Sequence, residues 1–429
     1  MAGAVGYHRT NGTLACEGVP LPAIAERVGT PCYVYSAATI KAQYNALANA
    51  LAGVDVRLHY SVKANSNLAI LSLLRSLGAG VDIVSGGELQ RALHAGFTGA
   101  DVVFSGVGKT PAELEAAIRA GVKTINVESI AELETLNVVA ESMGAVAPVA
   151  LRVNPDVSVE TPHPYTRTGE HGMKFGIPDD QVLDVARSMR AMRSVTLVGM
   201  AAHIGSQIVR AAPYAETAQQ LLELCNAVRS DGVTTLRYMD IGGGLAVSYG
   251  DDEPADLQEF AEAIRPIAAA SGLQLLMEPG RYLVADAGTL LTRVVYRKHS
   301  GGKEIVITDA GMNDLIRPAL YEAYHAIERV EPTDDRIVAD VVGPVCESGD
   351  FFGLDREIGN VAAGDLLAVR SAGAYGYVMA SNYNTRPRPA EVLVDGPRYA
   401  VVTAREQYQD LVRLEHLTPT WSDASCASD

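Results

Sequence analysis

The stretch TINVESIAELETLNVVAESMGAVAPVALRV, residues 124–153, holds one complete unit of the fold. Thr124–Val127 is a short β-branched run and reads as a strand. Ser129 with Glu132 three residues on is a helix-start signature, in which the serine oxygen takes an orphan amide and the glutamate returns the bond. A helix follows over Ile130–Met143, and Gly144 suits the left-handed residue that ends it. Pro148–Val153 is the next strand. The same cadence extends in both directions, from about residue 55 to 281. The strand runs are Val56–Val62, Val81–Ser85, Val102–Ser105, Thr124–Val127, Pro148–Val153, Leu197–His203, Leu236–Ile241 and Leu273–Glu278. Between them lie helical stretches, among them Asn67–Leu77, Pro111–Ala120, Ala215–Val228 and Leu257–Ala270. Ser85 with Glu88, and Thr110-Pro111 with Glu113, repeat the start signature.

Strand–helix alternation implies parallel pairing, and eight repeats over roughly 230 residues match a closed (β/α)8 barrel of the TIM type. A doubly wound open sheet is the competitor. After residue 290 the texture becomes β-rich: Thr292–Tyr296, Glu304–Ile307, Ile337–Val342, Leu366–Val369 and Glu391–Val394 read as strands, and Asp395-Gly396 signals a hairpin. The expected division is a segment at 1–35 packing on the β-rich unit, with strand-like pieces at Thr13-Leu14 and Cys32–Tyr35. A barrel at 36–290, an antiparallel β-barrel or β-sandwich at 291–415 and a loose tail at 416–429 follow.

With 48% hydrophobic and 20% charged residues the composition is globular, not disordered. A net charge of -16 disfavours nucleic acid and anionic membranes as bulk partners, because both repel an acidic surface. Five widely spaced cysteines without a C-x-x-C fit neither a disulfide framework nor a zinc site, so no metal is expected. Residues 1–9 show no basic-then-apolar leader and no uninterrupted apolar run of about 18 residues occurs, so a cytoplasmic location is expected.

In such a barrel the chemistry sits at the C-terminal ends of the strands. There the sequence places Lys63, Arg152, His203, Gly242-Gly243-Gly244 and the pair Glu278/Arg281. Each has an ordinary explanation by itself: a solvated lysine, a core histidine, a tight turn, a helix cap. Together at one mouth they describe a site. The glycines let backbone amides approach a phosphate. Lys63, beside other cations, is expected to have a lowered pKa and to form a Schiff base. Glu278 can keep a pyridine nitrogen protonated. Pyridoxal 5'-phosphate needs all three. A sugar phosphate with a Schiff-base lysine, as in aldolases, is the rival, although such barrels usually carry no large β-rich unit.

These motifs resemble those of the diaminopimelate decarboxylases, within the alanine-racemase-like (type III) pyridoxal-phosphate-dependent decarboxylases, over about residues 10–415. Tyr60-Ser61-Val62-Lys63-Ala64-Asn65 is similar to the cofactor-lysine motif. His203-Ile204-Gly205-Ser206-Gln207 resembles the segment whose histidine stacks on the ring and whose serine helps hold the phosphate. Gly242, Gly243 and Gly244 resemble the phosphate loop. Glu278-Pro279-Gly280-Arg281 resembles the motif whose acid meets the pyridine nitrogen and whose arginine binds a substrate carboxylate. Asp82 and Glu88 fall where relatives have acids near the cofactor. Gly343–Asp350 resembles the loop whose cysteine, here Cys346, donates a proton in the partner subunit's site, with Glu347 suited to the substrate's distal ammonium. Ala372–Gly376 resembles the segment whose tyrosine, here Tyr375, contacts phosphate and substrate. Asn313–Tyr321 resembles the stretch whose Arg317 and Tyr321 bind the distal carboxylate. His163-Pro164-Tyr165 and Lys174–Ile177 match the family's mobile loop, while Glu170–Met173 departs from it.

The resemblance implies a carboxy-lyase of lysine biosynthesis, acting on meso-2,6-diaminopimelate as a homodimer with shared sites. Decarboxylases of ornithine, arginine or lysine share Lys63, His203 and Glu278, but their substrates lack the distal carboxylate that Arg281 and Arg317 suit. A racemase of this fold would need a basic tyrosine opposite the lysine. A non-catalytic cofactor-binding homologue would lack the second unit or the lysine.

Overall fold

The computed structural model describes residues 6–422 except 160, 162, 164–167, 170, 171 and 251. Eight parallel strands close into a barrel: Val56–Ser61, Gly80–Ile83, Val102–Phe104, Thr124–Val127, Ala147–Asn154, Val195–Ala201, Tyr238–Asp240 and Gln274–Met277. Each pairs with the next, and the last pairs with the first, Leu275 to Met277 against Val56 to Leu58. The closed sheet rules out the open alternative. A two-residue piece, Ile177–Pro178, pairs in parallel with the end of the fifth strand at Val153 and Asn154.

The helix starts behave as their side chains dictate, with one refinement. Ser85, Thr110 and Ser129 each accept the amide three residues on. Only at Thr110 is the box reciprocal, with Glu113 accepting the Thr110 amide at 2.9 Å. Glu88 and Glu132 reach one residue further back, to the amides of Val84 (2.7 Å) and Glu128 (3.1 Å). Both therefore tie the end of a barrel strand to the helix after it.

Strand alternation sends one set of side chains out to the helices and the other into the barrel. The outward set forms most of the main core. A small separate cluster, Val103, Ala150, Val198, Ala201, Tyr238 and Leu276, fills the middle of the barrel. The polar inward residues Ser61, Asp82, Ser105, Asn126, Asp240 and Glu278 are buried on strands or at their C-terminal ends.

The second sheet is built from both chain ends. Its order is 351–359, 336–342, 303–308, 288–300, 32–36, 390–395, 398–403, with 366–369 and 327–329 joined on at 288–300. Two of its pairings are parallel, 304–307 with 339–342 and 390–394 with 32–36, so the expected antiparallel sheet is mixed. The Asp395-Gly396 signal makes the hairpin between Ala390–Asp395 and Arg398–Thr403. The two units are locked where Gly373 packs: a Cβ there would stand 1.9 Å from the Val284 carbonyl oxygen, so only glycine fits. This places the 372–376 loop on the lysine segment, with the Tyr375 amide 2.8 Å from the Ala64 carbonyl and Asn65 Nδ2 3.0 Å from the Gly373 carbonyl. Among the described residues, no helix is long and apolar enough to cross a membrane, and no group of His, Cys, Asp and Glu could hold a metal ion.

Candidate active site

A cavity of about 480 Å³ opens at the C-terminal end of the barrel, lined by His203, Ser206, Tyr249, Arg281, Arg317, Tyr321 and Tyr375 among others. A larger recess, about 830 Å³, lies at the opposite end beside Asp55, Arg237 and Gln274. Lys63, Glu278 and the glycine turn all belong to the first end, where a barrel of this kind carries its chemistry.

Lys63 sits in a single 3-10 turn, Val62–Ala64, directly after the first strand. Its Nζ is 2.8 Å from Asp82 Oδ2. Burial alone would lower its pKa; Asp82, with Glu278 and Tyr375 behind it, outweighs burial and raises it. The lowered pKa expected from neighbouring cations is therefore corrected: the neighbours that matter are acids, and the amine must give up a proton before it acts as a nucleophile. The Ser61 hydroxyl lies 3.0 Å from the same Asp82 oxygen and 2.9 Å from the Glu278 carbonyl. Asp82 is fully buried, and among the described residues its Oδ1 has no partner.

Glu278 is 6% exposed. Its Oε1 takes a 3.3 Å contact from the Ser105 hydroxyl. Burial, then the charges of Asp240 and Asp82, push its pKa well above the carboxylate range and favour its protonated form. Burial likewise raises Asp240 to about 6. His203 is held neutral by burial and by Lys63 and Arg152, which push its pKa well down. Its Nδ1 accepts the Gly243 amide at 3.1 Å, which leaves the hydrogen on Nε2.

The glycine turn is strained for any other residue where it approaches its neighbours. Gly244 has φ +106, and a Cβ there would stand 2.3 Å from the Gly205 carbonyl oxygen. Its three amides are not equivalent. That of Gly242 goes to Asp240 Oδ1 at 2.9 Å and that of Gly243 to His203; among the described residues, that of Gly244 has no partner.

Arg281 and Arg317 are 8% and 6% exposed, and among the described residues neither meets a carboxylate. Arg281 is held by the Ser206 hydroxyl (3.1 Å) and by Tyr249 Oη (2.7 Å), with its guanidinium 4.7 Å over the Tyr375 ring. Arg317 lies 4.4 Å over the Tyr249 ring. Two buried cations without a counter-ion, stacked on aromatic rings, suit an anionic ligand. Tyr321 lines the same cavity and meets His163 edge-on at 5.7 Å. Gly280 packs against Ser61 and Ala64, where a Cβ would stand 3.0 Å from the Ser61 Cβ.

Cys346 and Glu347 are exposed and lie outside this cavity; the Cys346 amide is held by Asn384 Oδ1 at 2.8 Å. Pro164, Tyr165, Glu170 and His171 of the expected mobile loop lie outside the described residues. Glu88 serves as a cap. Sequence reading missed Tyr249 and His325, which hold the two arginines, because neither stands in a motif; it also left Arg152 without a role. Arg152 Nη1 is 2.8 Å from Glu128, which takes the amides of Gly106 and Gly176 as well. The inward parity of the barrel strands was the available signal for Ser105, Asn126 and Asp240.

This donor set fits pyridoxal phosphate: an amine at Lys63, a buried acid at Glu278 whose raised pKa favours its protonated form, and hydroxyl and amide donors at Ser206, Tyr375 and Gly244. The fold and site define a pyridoxal-phosphate-dependent decarboxylase, and the model of the pyridoxal-dependent decarboxylase family's pyridoxal-binding domain matches residues 37–285. A diaminopimelate decarboxylase of Pseudomonas aeruginosa is 51% identical over 407 residues, 95% of this chain and 97% of that protein. That of Aquifex aeolicus is 44% identical, over 94% of this chain and 95% of its own. Among solved structures, diaminopimelate decarboxylase of M. jannaschii superposes with a TM-score of 0.92 at 36% identity, covering 98% of this chain and 99% of that one. The Helicobacter pylori enzyme complexed with L-lysine gives 0.89 at 39% identity, covering 92% and 99%. The chain belongs to the diaminopimelate decarboxylase family.

Proposed function

We propose that this chain decarboxylates meso-2,6-diaminopimelate to L-lysine and carbon dioxide, the last step of bacterial-type lysine biosynthesis. The observation that carries the reading is the pair of buried guanidiniums, Arg281 and Arg317, that line the cavity and, among the described residues, form no ion pair with a carboxylate. A meso substrate has one D and one L centre, and L-lysine keeps the L centre. The carboxylate lost is therefore at the D end, near Lys63, and the arginines hold the L end.

Pyridoxal phosphate, when bound, supplies an aldehyde for the amine and a ring that accepts the electron pair left as carbon dioxide departs. Lys63 would hold its aldehyde end, His203 its ring face, Glu278 its ring nitrogen, and Gly244, Ser206 and Tyr375 its phosphate. Glu278, buried with its proton-bearing form favoured, would meet the ring nitrogen and could supply it with a proton. His203, neutral and oriented by the Gly243 amide, offers a flat uncharged face. Asp82 holds the Lys63 amine and is the nearest acceptor for its proton. Arg317, Arg281 and Tyr321 grip the distal carboxylate with charge-assisted bonds.

The carbon that loses carbon dioxide then takes a proton. Cys346 is the donor, and Glu347 meets the distal ammonium; both reach the cavity of a second copy within a twofold dimer. Their exposure, outside the cavity of their own chain, supports this arrangement. Residues 36–290 act as the cofactor unit and 291–415 as the unit that closes the site. The unpaired thiols of Cys16, Cys32, Cys225 and Cys346 suit a reducing cytoplasm. The test is carbon dioxide release from a panel of amino acids. Diaminopimelate should be turned over well ahead of ornithine, arginine and lysine; faster release from any of those three overturns the assignment.

A further inference from the structure

His325 lies eight residues beyond Arg317, in the segment after the short helix Arg317–Tyr321, and is fully buried. Its Nδ1 is 2.8 Å from the Arg370 carbonyl oxygen. A carbonyl has only lone pairs, so Nδ1 carries the hydrogen. Nε2 then presents a lone pair, and Arg317 Nη1 lies 2.8 Å from it and donates. The two partners fix the tautomer between them. Burial and the charge of Arg317 push the ring's pKa down to about 3, so the lone pair persists at working pH. The histidine also meets the Tyr249 ring edge-on at 5.2 Å, the same ring on which Arg317 stacks. Arg281 donates its hydrogen bonds to the Ser206 and Tyr249 hydroxyls instead. The two guanidiniums share Tyr249 but donate to different hydrogen-bond acceptors, and His325 serves Arg317.

We propose that His325 is a positioning residue that sets the orientation of Arg317, and thereby the preference for a ligand carrying the distal carboxylate. This rests on the reading of Arg317 as that carboxylate's partner. The histidine touches neither the reacting carbon nor the cofactor site. Its loss therefore acts on binding that is equal in ground and transition states, and shows in KM rather than kcat.

Two substitutions separate its two bonds. In His325→Asn the amide stands near the place of Nδ1 and keeps the Arg370 carbonyl, but Arg317 loses its acceptor. In His325→Gln the side chain reaches the place of Nε2 and offers Arg317 an oxygen. With cofactor-loaded enzyme, H325N should raise KM for diaminopimelate about 10-fold with kcat within about 2-fold, and H325Q should stay within about 3-fold of wild type in both. Calorimetric binding supplies a readout without turnover. L-lysine keeps the distal carboxylate and should bind H325N about 10-fold more weakly, whereas 1,5-diaminopentane, which lacks it, should bind unchanged. Equal losses in H325N and H325Q, or equal losses for L-lysine and the diamine, overturn the proposal. If H325N does not fold, H325Q decides: a loss of lysine affinity as large as that of Arg317→Ala overturns it. If Arg317→Ala itself binds L-lysine like wild type, the carboxylate reading fails and this inference falls with it.

Discussion

The inner half of the site and the outer half are built in different ways. Lys63, Asp82, His203, Glu278 and the glycine turn all stand at the ends of barrel strands, within one chain and one unit. Arg317, Tyr321 and Tyr375 arrive from the β-rich unit, and Cys346 and Glu347 do not reach their own cavity at all. The inner half is set by local strand geometry. The outer half depends on how the second unit docks, fixed at Gly373 and Asn65, and in the proposed arrangement on a second copy of the chain. In the proposed reading, chemistry common to many amines sits in the first and choice of substrate in the second.

The largest expected effect tests the inner half. Lys63→Ala should abolish carbon dioxide release and the cofactor's absorbance band together, because no amine remains to hold the aldehyde. After borohydride reduction of wild type, the cofactor mass should appear on the peptide containing Lys63; a label on another lysine contradicts the assignment. Next, Cys346→Ala should lower kcat by about 10²–10⁴-fold, the range for loss of an acid–base group, while the absorbance is kept. A near-normal kcat would remove Cys346 from the outer half. Third, Arg317→Ala loses charge-assisted bonds worth about 1.5–3 kcal/mol, so kcat/KM for diaminopimelate should fall by about 10–150-fold. Unaltered kinetics would show that the outer half does not read the second carboxylate.

How much of this was legible follows the same division. The barrel was written in repeated strand runs and in Ser85, Thr110 and Ser129, because local periodicity and capping chemistry decide those elements. The inner residues followed from one rule about strand ends. In the β-rich unit, strand Phe351–Gly359 escaped notice because Leu354-Asp355-Arg356-Glu357 breaks the apolar alternation. Cys32–Ser36 was visible as a strand, but nothing local says that it lies between 288–300 and 390–395, hundreds of residues away. Tyr249 and His325 act through contacts with arginines distant in sequence or a helix away, so their roles emerge only from packing. Lys63 was misjudged for the same reason: Asp82 is 19 residues away, and its nearness is a fact of parallel strands.

The smallest effect concerns stability inside the barrel, below Lys63. His59 is buried, among the described residues neither ring nitrogen has a hydrogen-bond partner, and burial lowers its pKa to about 3. In the unfolded chain the ring takes a proton below about pH 6.5, while in the fold it stays neutral until about 3. The unfolded state thus binds more protons in that window, and stability present above pH 6.5 is lost as pH falls. His59→Leu removes this term. The slope of stability against pH between 6 and 4 should flatten by about 1.4 kcal/mol per unit, read from urea midpoints. An unchanged slope would mean that the ring is charged in the fold.

The central claim is that the two halves of each site come from two chains, and subunit mixing tests it most directly. Lys63→Ala and Cys346→Ala are each purified, dissociated together and allowed to re-pair. Random pairing makes about half the dimers mixed, and in each of these one site joins an intact Lys63 to an intact Cys346. Activity should recover to about one quarter of wild type. If the variants exchange subunits and no activity returns, the site does not cross the interface, and Cys346 has no part in the outer half.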